Sequence, residues 1–141
     1  LGTPVFDEEE QAFARQVQAE MDLPVTGLDM KVPPLPAEKV EGFSTDVGDV
    51  SKLVPTMGLH MPSVPTGVSM HTWGATACHG TSIGRKAAVQ AAKGLALMAA
   101  DLLADAELRV AAYADFEARM AGNPYVSPLP DEIKLPPMMR V

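Results

Sequence analysis

One hundred and forty-one residues suit one ordinary domain with one core, and 47% hydrophobic with 21% charged side chains excludes a wholly disordered chain. Eighteen acidic against eleven basic residues give a net charge of −7, which repels nucleic acid and anionic membranes, so neither is an expected partner. Cys78 is the single cysteine, so no internal disulfide and no cysteine-rich zinc site can form, and a reducing, cytoplasmic setting is expected.

The chain opens on Leu1 rather than Met, and a piece of something longer is the expectation. Residues 7 to 21 read as a helix, with Asp7 as N-cap and Glu10 completing a capping box. Phe13, Ala14, Val17 and Met21 fall along one face of it. Glu8, Glu9 and Glu10 oppose the helix dipole in the first turn, a simpler role for them than metal ligation. Residues 22 to 41 carry Pro24, Pro33, Pro34 and Pro36 with little periodicity, as a loop crossing the surface of a larger body would.

Residues 42 to 81 hold Asp46, Asp49, His60, His71, Trp73, Cys78 and His79. Met57 to Met61 and Val68 to Trp73 have the length of short strands set apart by Pro62, Pro65 and Gly67. Asp46 to Val54 suits a short helix, for which Ser44, Thr45 and Asp46 are equally good caps. From Ser82 onward Ile83, Ala87, Ala91, Leu95 and Met98 recur at helical spacing. Asp105 is a second cap, so helices over about 83–103 and about 105–121 are predicted. Gly122-Asn123-Pro124 stops the second, and the tail to Val141 is expected to be extended. The apolar run Leu95 to Ala100, between Lys93 and Asp101, is too short to cross a bilayer.

His71, in an apolar strand-like piece, is expected to need a hydrogen-bond partner or a metal. No His-x-Asp, His-Glu-x-x-His or Cys-x-x-Cys spacing is present, so local sequence assembles no metal site. Ser82 to Lys86 offers amides and positive charge to an anion, without the glycine spacing of a phosphate loop. Cys78 beside His79 suggests a thiolate, although neighbours on a strand point to opposite faces. Trp73 and the nine methionines read most simply as core filler.

Three ordered stretches resemble one family. Ser44-Thr-Asp-Val-Gly-Asp-Val-Ser51 followed by Val54-Pro-Thr56, then Gly67-Val-Ser-Met-His71-Thr-Trp73, then Thr81-Ser-Ile-Gly-Arg-Lys86 with Ala91-Ala-Lys93, resemble signatures of the metal-dependent amidohydrolase and metallopeptidase family that includes p-aminobenzoyl-glutamate hydrolase. Val68, Ser69, Lys52 and Arg85 depart from that family's usual residues, which bears on substrate preference.

The resemblance implies that residues 1–141 are the C-terminal portion of an α/β, mixed-sheet, metallopeptidase-like catalytic domain, helix-rich with short strands, following a lid or dimerisation insertion. It implies hydrolysis of the amide of an N-acyl or aromatic-acyl amino acid, with two divalent ions, zinc or manganese, held mostly by residues outside this chain. His71 would be the one metal ligand here, and Thr45, Asp46 and Asp49 would stand on the substrate side or behind the ligands. No catalytic residue is implied within the chain. The implied partners are the remainder of the catalytic domain, a second protomer in a homo- or heterodimer, and a small acyl-amino-acid substrate. The alternative is a non-catalytic helical interaction module derived from the same fold.

Overall fold

The structure is a computed structural model that describes residues 1–32, 34, 45–130, 132 and 133. Ser44 as a cap, residues 33 and 35–41 of the proline-rich loop and the tail beyond residue 133 lie outside the described residues. Among the described residues five helices run in chain order: α1 Glu8–Glu20, α2 Val47–Val50, α3 Trp73–His79, α4 Ser82–Ala104 and α5 Ala106–Met120. No strand occurs among the described residues, so the expected mixed-sheet α/β architecture is corrected to a helical one.

The reason lies in the two apolar pieces read as strands. Met57 to Met61 is irregular backbone whose Met57 and Leu59 side chains stay exposed. In the other piece Val68 is buried, but Thr72 breaks the run by accepting a hydrogen bond from the Ala75 amide at 3.3 Å, as an N-cap does. The backbone therefore turns into α3 at Trp73 instead of continuing extended. Short apolar runs carry no period that separates the two outcomes.

The chain divides into two compact units, Leu1–Lys39 with Gly58–Ala104, and Val40–Met57 with Asp105–Val141. In the first unit α1 begins as its sequence predicts. The Asp7 carboxylate accepts from the Glu10 amide at 3.0 Å, and the Glu10 carboxylate accepts from the Asp7 amide at 2.9 Å. The predicted face is the buried one: Ala14 and Val17 are in the core, with Phe13 and Met21 packed at its edge. One cluster joins Phe6, Ala14, Leu28 and Ile83, and a second joins Val17, Val68, Ala75 and Cys78. Gly74 lets α3 lie close to α1, since a Cβ there would collide with Met21 and press on Val17.

Polar side chains of α1, not a β-ladder, hold the flanking loops. The Gln11 amide group donates to the Leu28 carbonyl at 3.1 Å and accepts from the Leu28 amide at 2.8 Å, as a neighbouring strand would. Gln18 is fully buried and uses its whole capacity. Its Nε2 donates to Thr26 Oγ1 at 3.1 Å and to the Thr66 carbonyl at 2.8 Å, while its Oε1 accepts from the Thr26 and Gly27 amides at 2.9 and 2.7 Å. Gly27 adopts φ +80°, and a side chain there would also strike the Gln11 amide group.

α4 starts in this core, with Ile83 and Ala87 buried, but no residue of it after Gly94 is buried. The apolar stripe predicted to run to Met98 outlasts its cover: Leu95 is 52% exposed and Leu97 54%. By length and composition α4 would also pass for a membrane-crossing helix, which the count of unbroken apolar residues did not show. Its first turns argue for packing against protein, because Ile83 enters the core and Lys86 reaches a carboxylate of α1. A helix apolar all round needs surroundings that bury it. The second half of α4, largely apolar from Leu95 to Ala100, finds no such surroundings among the described residues of its own unit.

In the second unit α2 is a single turn, and α5 begins where Asp105 caps it, accepting from the Leu108 amide at 3.0 Å. Ala121 takes the left-handed position that ends α5, followed by Gly122 at φ +75°. Tyr113 and Phe116 meet ring against ring with centroids 5.7 Å apart.

Candidate functional site

His71 sits in the turn that leads into α3 and is exposed, contrary to the expectation of a buried imidazole. Trp73, expected in the core, is 55% exposed at the first residue of α3. Helical geometry separates the two environments: Gly74, Ala75 and Cys78 are buried against α1, whereas Met70, His71 and Trp73 remain in solvent. Met70 is 57% exposed as well. Three neighbouring side chains thus present a thioether, an imidazole and an indole to the outside of the first unit.

The remaining predicted residues lie in the second unit. Thr45, not Asp46, makes the local cap, its hydroxyl accepting from the Val47 amide at 3.3 Å, and Asp46 makes no side-chain cap bond. Asp46 is exposed and Asp49 is half-buried. The Asp49 carboxylate stands near the Tyr125 hydroxyl, and local desolvation first, then that carboxylate and its charge, push the phenol above its ordinary value. Sequence reading had no route to Tyr125, which is 76 residues from Asp49 and bears no motif.

Among its described residues, neither unit gathers a metal site by itself. Among the described residues no three histidine, cysteine, aspartate or glutamate side chains stand close enough together to hold an ion. His71 is exposed and belongs to no such cluster among the described residues. His60 is exposed, and His79 pairs its Nε2 with the Ser63 hydroxyl at 3.0 Å. Cys78 is buried, and burial pushes its thiol up, away from thiolate chemistry. Its separation from His79 holds, though on a helix: Cys78 points inward and His79 outward.

The anion expected at the start of α4 is supplied by the chain itself. Glu10, 6% exposed, accepts from the Ser82 hydroxyl and from Lys86 Nζ at 2.6 Å, and Lys86 also reaches Asp7 at 3.4 Å. Burial alone would raise the Glu10 carboxyl, but the hydrogen bonds from Lys86, Ser82 and the Asp7 amide outweigh it and hold it below its ordinary value of 4.5. A carboxyl lowered in the folded state contributes stability in full above that ordinary value and loses it as the pH falls through the folded value. The expected result is a first unit that weakens as the pH falls below 4.5, and a Glu10→Gln variant that is weaker at neutral pH but flatter over that range. Denaturation midpoints across the acid range check this; parallel profiles for the two proteins contradict it.

No known protein-family profile matches this chain, and no solved structure matches it. The chain is similar to one of the subunits of p-aminobenzoyl-glutamate hydrolase from Escherichia coli (strain K12), 29% identical over 164 residues. That similarity takes in 98% of this chain but 34% of the relative, so the chain spans about a third of the length of the curated protein it matches.

Proposed function

We propose that this chain is one portion of a metal-dependent amidohydrolase that cleaves the amide bond of an N-acyl or aromatic-acyl amino acid, p-aminobenzoyl-glutamate being the model substrate. The observation that carries the reading is the match to a hydrolase subunit along 98% of the chain. The three motif stretches, in family order, agree with it. His71 is the metal ligand of this portion, and its exposure beside α3 leaves the imidazole accessible to ligands and substrate from elsewhere. Thr45, Asp46 and Asp49 stand on the substrate side or behind the ligands. Two divalent ions, zinc or manganese, would polarise the scissile carbonyl and lower the pKa of a bound water. The rest of the ligands and the general base belong to the remainder of the protein, and assembly with that remainder, in a homo- or heterodimer in the cytoplasm, completes the reading.

The chain alone is then expected to be inactive. A catalytic zinc takes about three protein ligands and an open position, and a two-ion site takes more. Release of free amine from p-aminobenzoyl-glutamate is the assay, run on the isolated chain with zinc or manganese and again with the remainder of the protein. Turnover by the chain alone would misplace the site; turnover only on mixing supports a divided catalytic domain.

A second reading, a non-catalytic helical interaction module, is favoured by the absence of a ligand cluster among the described residues and by the uncovered second half of α4. The coding sequence upstream separates the two, since the hydrolase needs His-x-Asp and paired acidic segments there and the module does not.

A further inference from the structure

The helix α5 has two sides of different character. Ala112, Phe116 and Met120 recur every four residues and are half-buried, which marks the side that the helix turns inward. Ala106, Arg109, Val110, Tyr113, Ala114 and Glu117 recur at intervals of three and four, line one shallow groove and are all exposed, Val110 by 70% and Tyr113 by 52%. A valine and a tyrosine left in water on one stripe, bordered by charge, describe a contact surface better than a solvated face.

The charges on the stripe decide what fits it. Arg109 stands four residues before Tyr113 and Glu117 four residues after it, each about 6 Å along the helix from the tyrosine. When a second copy of α5 is laid antiparallel with the two tyrosines level, each arginine comes level with the other copy's glutamate, and the contact repeats on both sides of a two-fold axis as a closed interface requires. A parallel pair would set arginine against arginine and glutamate against glutamate. Ala106 and Ala114 are small, which lets two helix axes approach toward the short end of the usual spacing of about 8–10 Å. Tyr113 already meets Phe116 with ring centroids 5.7 Å apart, so the central side chain is ordered before it is covered. Tyrosine and arginine are also frequent anchors of such surfaces.

We propose that two copies of the protein associate through this stripe of α5, antiparallel and centred on Tyr113, with Arg109 of each facing Glu117 of the other. Fifteen residues make a helix about 22 Å long and about 10 Å wide. That footprint is smaller than a stable interface needs, which buries about 1,200 Å² or more in total, so the dimer is weak and concentration-dependent. The contact stands apart from the amide chemistry, and no activity enters its test.

The experiment is sedimentation equilibrium of the full-length protein over about 5–500 μM, at about 0.05 M and about 1 M salt. Arg109→Glu and Glu117→Arg each set like charges opposite one another at both ends of the stripe, and each is expected to weaken association about tenfold or more. Combining the two restores opposite signs and is expected to return the association constant to within about threefold of wild type. High salt weakens the wild type and strengthens the single reversals. Helical content by circular dichroism is the same in all four proteins, since no residue of α5 is buried. A wild type that stays monomeric throughout the range, as a stripe covered by the remainder of the protein would leave it, overturns the proposal. Single reversals that associate as the wild type does overturn it too. A double reversal that stays as weak as the singles does the same, because Arg109 and Glu117 would then be facing other groups.

Discussion

In the full-length protein His71→Ala is expected to lower occupancy of one of two divalent-ion positions and to cut amide hydrolysis by about 100-fold or more, since even residues that only orient a ligand are worth about 10- to 100-fold. Removing a neutral imidazole takes one donor bond from the ion without changing the charge of its surroundings, which weakens the ion's hold. The structure makes the variant informative. His71 lies in an exposed turn, and the cap of α3 is made by the Thr72 hydroxyl, so alanine at position 71 disturbs neither the core nor the helix start. Helical content and denaturation midpoint should therefore match the wild type, within the ~0.5 kcal/mol common to surface changes. Metal analysis of the purified variant, with turnover of p-aminobenzoyl-glutamate, is the measurement. Unchanged metal and unchanged turnover would sink the ligand assignment.

Local signals were legible where the chemistry is local. Asp7 with Glu10 announced α1, Asp105 announced α5, and the Ile83–Ala87 spacing announced the buried start of α4. The sequence misled where one pattern serves two structures. Val68 to Trp73 has strand length, and only the Thr72 hydroxyl decides that the chain turns into a helix. The same stretch pointed to His71 as the residue of interest but to the wrong environment for it. Long-range pairings were out of reach altogether: Glu10 reads as a capping acid, yet its carboxylate also takes Ser82 and Lys86, more than 70 residues away. That pairing answers the anion-site pattern at the start of α4 from within the chain. Tyr125 on Asp49 is hidden for the same reason.

The largest expected loss of stability from a single side chain is at Gln18. Its volume is close to that of leucine, so Gln18→Leu fills the same space and separates hydrogen bonding from packing. The substitution strips the buried Gly27 amide of its acceptor at 2.7 Å and the Thr26 amide of its acceptor at 2.9 Å, and it takes the donor at 2.8 Å from the Thr66 carbonyl. Thr26 and Thr66 are exposed and recover part of the loss from water; Gly27 is buried and recovers little. An unsatisfied buried polar group costs about 1–3 kcal/mol, so a total near 3 kcal/mol is expected. Against the roughly 5–15 kcal/mol that holds a typical domain together, that is a large share. Gln18→Glu should do no better, because it keeps the acceptors but sets a carboxylate against the Thr66 carbonyl in a fully buried position. The loops at residues 23–28 and 64–68 should loosen first, since Gln18 is the side chain that ties both to α1. Urea midpoints and amide exchange at Gly27 are the two readouts. A midpoint equal to the wild type, with Gly27 still protected, would mean that packing and the Gln11 bonds to Leu28 hold these loops to α1 without Gln18.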